Sequence, residues 1–153
     1  MKKILFLILA IGLISGCKST APMLKTAEAK YVSASSGTIT MNSIGFGNNQ
    51  SDAKTDAEKN AVDVLLFRGL PGSPQATPLI SISESEAKTK YSDYFTSFYK
   101  NERYKTFITS SRPTSALQKN GKGKNSMYCD ITVNLNSLRL DLEQQQVIRK
   151  FGY

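Results

Sequence analysis

Two strings in the chain have the residue types and spacing of an activated serine. Ser51-Asp52-Ala53-Lys54 and Ser85-Glu86-Ala87-Lys88 both read S-x-x-K, with a lysine placed to take the serine's proton. Neither comes with the S-D-N or K-T-G elements that this chemistry also uses, and the domain is too small for that fold. A serine at a helix start serves first as a cap for free backbone amides. Gly45-Phe46-Gly47-Asn48-Asn49-Gln50 lies between a strand and a helix, as a dinucleotide fingerprint would, but Gln50 stands where the third glycine belongs and no βαβ unit follows. That leaves a turn with incidental anion affinity at a helix amino end. Histidine is absent, so Ser-His-Asp and Cys-His relays and the usual zinc ligand sets are excluded. Asp52, Asp56, Glu84 and Glu86 sit near helix starts, where negative charge suits the macrodipole, and they lack the loop spacing of a calcium site. No enzyme activity, metal or cofactor is expected.

Binding chemistry is better represented. Lys119, Lys122 and Lys124 are spaced by glycines in a hairpin connection, with Arg112 upstream. Such a loop can hold an anionic glycan or lipid head group, or simply stay solvated. Tyr91, Tyr94, Phe95, Phe98 and Tyr99 fall at helical spacing. They are core rings or, through Tyr91, Tyr94 and Phe98, a surface for a protein partner.

The amino terminus carries its own message. Lys2 and Lys3 precede an apolar run from Ile4 to Ile14, too short for a bilayer core that needs about 20 apolar residues. The run closes on Ile14-Ser15-Gly16-Cys17. An aliphatic residue, two small residues and a cysteine at this spacing resemble the lipobox of bacterial lipoprotein signals. The resemblance implies acylation of Cys17, cleavage after Gly16 and a lasting membrane anchor, since two or three acyl chains hold where one does not. Lys18 stands where an aspartate would signal inner-membrane retention, so the outer membrane is favoured, and a secreted location argues against a nucleic-acid partner. Removing Lys2 and Lys3, in a segment without acids, lowers the net charge from +8 to +6. With Cys17 acylated, Cys129 has no disulfide partner. It shares a strand face with Met127, Ile131, Val133 and Leu135 and is expected in the core.

The organisation that follows is a signal segment over 1–16, a lipidated cysteine and flexible tether over 17–36, reaching roughly 25 Å, and one domain over 37–153. A chain that is 40% hydrophobic can build one core here without staples. A strand is expected over 38–47, with a phase shift near Asn42 and Ser43 that reads as a bulge. A turn over 45–50 then leads to a helix capped by Ser51 that aligns Ala53, Ala57, Ala61, Val64 and Leu65. Prolines and glycines over 69–78 make a loop. Ser83 and Glu86 form a capping box for the aromatic helix. Strands over 103–110 and 126–135 precede a last helix, capped by Asn134 or Asn136 and running to about Lys150. The fold class is α+β: a small antiparallel sheet with about three helices on one face, in the order β-α-α-β-β-α.

The strand, the Gly45-Phe46-Gly47 turn, the alanine-rich helix and the closing strand and helix resemble small envelope lipoproteins related to the N-terminal domain of flagellar assembly protein T. That resemblance implies an accessory or assembly role without catalysis. The expected function is a membrane-anchored, partner-binding envelope lipoprotein; the alternative is a module that binds an anionic glycan or lipid.

Overall fold

A computed structural model describes residues 29–119 and 123–150. The fold is α+β, built on one four-stranded antiparallel sheet of order β1-β2-β4-β3. Its strands are β1 (Ala29–Ser35), β2 (Thr38–Gly47), β3 (Ile108–Pro113) and β4 (Asn125–Asn134). Helix α1 (Gln50–Phe67) follows β2, α2 (Glu84–Lys90) and α3 (Ser92–Lys100) precede a 3-10 helix over Arg103–Phe107, and α4 (Leu135–Gln144) follows β4. Among the described residues there are thus four α-helices rather than about three, and a strand stands ahead of the expected order. Among the described residues no helix is long and apolar enough to cross a membrane.

Strands β2 and β4 pair along their whole length, from Thr38 opposite Asn134 to Gly47 opposite Asn125. Alternation puts Ile39, Met41, Ser43, Gly45 and Gly47 on one face with Met127, Cys129, Ile131 and Val133. Helix α1 lies across that face with Ala53, Ala57 and Ala61 fully buried. The approach is close enough that a Cβ on Gly45 would stand 1.9 Å from the Ala53 carbonyl oxygen. This corrects two expectations. Residues 45–47 continue the strand instead of turning, and β2 has no bulge at Asn42 and Ser43. Ser43 points inward and donates its hydroxyl proton to the Ala57 carbonyl at 3.0 Å, so apolar Ile44 takes the other face and the alternation is unbroken.

The tether expected through residue 36 contains β1, joined to β2 by Ser36 (φ 48°) and Gly37 (φ 79°). Two successive positive φ angles make the two-residue turn whose twist suits a hairpin. No burial pattern betrays β1, because Lys30 to Ser35 are all exposed. Both edge strands carry a register irregularity, between Tyr31 and Ser33 in β1 and between Ile108 and Ser110 in β3.

Capping explains the helix boundaries. Asn49, not Ser51, caps α1, its side-chain oxygen accepting from the Asp52 amide at 2.9 Å. Ser83 caps α2 through the Glu86 amide, and Asn134 caps α4 through the Ser137 amide at 3.0 Å. The single aromatic helix expected from the spacing is two, because Tyr91 leaves helical geometry (φ −117°, ψ 44°) between α2 and α3. Residues 103–107 form the 3-10 helix instead of a strand, with Tyr104 and Phe107 turned into the core. The last helix ends at Gln144, short of Lys150. The proline-rich segment is a loop whose end returns to the core, where the Leu79 and Ile80 amides donate to the Leu65 and Leu66 carbonyls.

Candidate partner-binding surface

Helix α3 sends Phe95 and Phe98 into the core because they lie one turn apart. The Phe98 ring is fully buried, its centroid 5.4 Å from that of Tyr94, 6.0 Å from Phe107 and 6.3 Å from Tyr104. Phe98 therefore has no surface to offer a partner, which corrects its assignment to one. Tyr94 and Tyr99 are half-buried and tied down by their hydroxyls. Tyr94 donates to Asp141 Oδ2 at 2.8 Å, and Tyr99 donates to Asp63. Arg103 Nη2 reaches both Asp141 oxygens at 2.5 and 2.6 Å while its guanidinium lies 5.2 Å from the Tyr94 ring centre. Burial, with the carboxylate beside each phenol, pushes the Tyr94 and Tyr99 pKa values far above the usual tyrosine range. Burial likewise raises Tyr104. These residues fasten α3 to α1, the 3-10 helix and α4.

Tyr91 is different. It is half-exposed at the α2–α3 break and lines an open recess of about 430 Å³ together with Glu143, Val147, Ile148, Arg149 and Lys150. Gln146 (φ 57°) turns the chain after α4. Val147 is buried and Ile148 half-buried, and the Val147 amide is held by the Leu142 carbonyl at 2.9 Å. Lys90 stands 5.2 Å from the Tyr91 ring centre. The recess combines an apolar floor with a rim carrying more positive than negative charge. Chemically it can take a partner side chain with apolar and acidic character.

No known family, curated protein or solved structure matches the chain.

The expected anion cluster is dispersed. Arg112 is exposed on β3 opposite Asp130, while Lys124 stands six residues before Asp130, just ahead of β4, some 20 Å away along the strand direction by the usual rise of about 3.3 Å per residue. Lys119 is exposed beside the Gln118–Ser126 bridge. Lys122 and Cys17 lie outside the described residues. Lys124 shares its own recess with Asp52, Asp56, Lys59 and Glu102, so carboxylates offset its charge. Glu102 is held below the usual carboxylate range by its hydrogen bond to Lys105.

The strings with catalytic spacing have structural partners. Ser51 is exposed within α1, and Lys54 lies 4.0 Å from Glu58. Lys88 pairs with Glu84 at 2.6 Å. Cys129 is fully buried, and desolvation raises its thiol pKa, so the nucleophilic thiolate is disfavoured. Among the described residues no three acidic or thiol side chains are placed to hold a metal. Asp141 and the 146–150 segment carry little local signal in the sequence beyond the apolar pair Val147-Ile148 beside Arg149-Lys150.

Proposed function

We propose that this chain is a lipid-anchored lipoprotein of the bacterial cell envelope that holds a protein partner near the membrane without catalysing a reaction on it. The lipobox at Ile14-Ser15-Gly16-Cys17 supports the anchor, and Lys18 supports the outer membrane. The observation that carries the binding role is the recess in which Tyr91, Val147 and Ile148 lie beside Arg149 and Lys150. The likeness to envelope lipoproteins related to flagellar assembly protein T supports an accessory role. Only residues 18–28 separate Cys17 from the start of β1. At most about 3.6 Å per residue, they keep that end of the sheet within roughly 40 Å of the acylated sulfur. The partner is therefore one that comes close to the membrane surface.

Palmitate labelling followed by crosslinking in intact cells tests both halves. Incorporation that disappears in Cys17→Ser supports the anchor; a wild-type chain that takes up no label removes it. A crosslinked protein lost from Arg149→Glu and Tyr91→Ala supports the recess, whereas an adduct indifferent to both substitutions moves the contact elsewhere.

A further inference from the structure

The sheet has a second face, and its side chains form rows across all four strands. The register aligns Lys30, Asn42, Asp130 and Arg112 in one row, and Ser33, Thr40, Thr132 and Ser110 in the next. Every one of these residues is exposed or half-exposed. Several are tied to each other: Thr40 and Thr132 share a hydrogen bond at 2.9 Å. The Asn42 side-chain amide donates to Asp130 Oδ1 at 2.8 Å and to Thr114 Oγ1 at 2.9 Å. Asp130 Oδ2 retains accepting capacity. Beside the first row stands half-exposed Tyr128, opposite Ile44.

We propose that this face binds a β-1,4-linked glycan laid across the strands, with Tyr128 stacking on one sugar ring and the Asn42–Asp130 pair reading hydroxyls. Three observations favour a glycan over a protein. On the two central strands the apolar side chains of this face, Ile44, Phe46 and Tyr128, stand together at one end, whereas a protein interface centres on an apolar core. The polar groups are held by their neighbours, so ordering them on binding costs little. Strands stand about 4.8 Å apart, close to the advance of one sugar along such a chain. Successive sugars therefore meet successive strands, each with a hydroxyl, amide or charged group. Lys30 and Arg112 close the row at its two edges, and with Asp130 between them the surface does not depend on ligand charge. This inference stands apart from the Tyr91 recess, which lies among the helices and the 143–150 segment.

Calorimetric titration of the full chain in detergent micelles with chitohexaose and cellohexaose tests it, the two sugars separating an amino-sugar polymer from a glucan. The expected result is binding of at least one hexamer that persists when salt is raised about tenfold. Tyr128→Thr should weaken it about tenfold and Asn42→Thr about fivefold, both with unaltered circular dichroism. Leu140→Ser, at an exposed position on α4, should bind as wild type. Failure of both hexamers to bind, or affinity unchanged by Tyr128→Thr, overturns the proposal. So does binding confined to heparin, titrated alongside the hexamers, and abolished by salt, which would move the ligand to the exposed basic side chains such as Lys119 and Lys124. None of these outcomes alters the crosslinking result expected for Arg149→Glu.

Discussion

Where α1 crosses the sheet, Ala53 and Ala57 meet Gly45 and Gly47; where α3 meets the rest of the chain, Phe95, Phe98, Tyr104 and Phe107 pack ring against ring. The first contact is backbone against backbone, with no room for one more carbon. The second is volume filled by large side chains, fastened at its rim by phenol–carboxylate bonds from Tyr94 to Asp141 and from Tyr99 to Asp63. Both bury apolar surface, yet they fail in opposite ways. One is broken by adding an atom group and the other by taking one away.

Substitutions from each side sharpen that contrast. Phe98→Ala should have the largest effect, about 4 kcal/mol of lost stability in urea unfolding, because its cavity is walled by rings that cannot collapse together. Gly45→Ala should follow at about 3 kcal/mol, although it removes nothing, since its methyl meets the Ala53 and Ala57 backbone. If Gly45→Ala proved neutral, α1 would be free to ride away from the sheet and the contrast would collapse. The smallest effect at neutral pH comes from the phenols. Tyr94 and Tyr99 have pKa values raised above the unfolded value of about 10, so unfolding releases their protons once the pH passes 10. Their contribution is complete below pH 10 and is lost as pH rises towards the folded values, each lowering stability by about 1.4 kcal/mol per pH unit. Tyr94→Phe should cost about 1 kcal/mol at pH 7 and make the alkaline slope shallower. An unchanged slope would mean that Tyr94 ionises as easily folded as unfolded.

The two regions were unequally legible in the sequence. Helix α1, β4 and the Ser83 and Asn134 caps follow from local signals: period, alternation and short capping distances. Strand β1 had none, because it lies at the edge and its side chains from Lys30 onward stay exposed. Arg103 to Phe107 has the aromatic and β-branched content of a strand, yet Tyr104 and Phe107, three apart, reach one core only in a tighter helix. Tyr91 could be named as a surface residue from its type, but the recess depends on Val147 to Lys150 folding back after α4, a long-range event. Asp141 is likewise an ordinary acid until Arg103 and Tyr94 converge on it from 38 and 47 residues away. The rows across the open face exist only once the strand register is known.

The irregular register of the two edge strands bears on how the protein lives with its own copies. An uninterrupted edge is a template on which another chain can add. Here β1 is disturbed around Val32 and β3 around Thr109, Pro113 supplies no amide proton, and Lys30 and Arg112 place positive charge on the two outer strands. Neighbouring copies therefore find no regular ladder to extend at either edge.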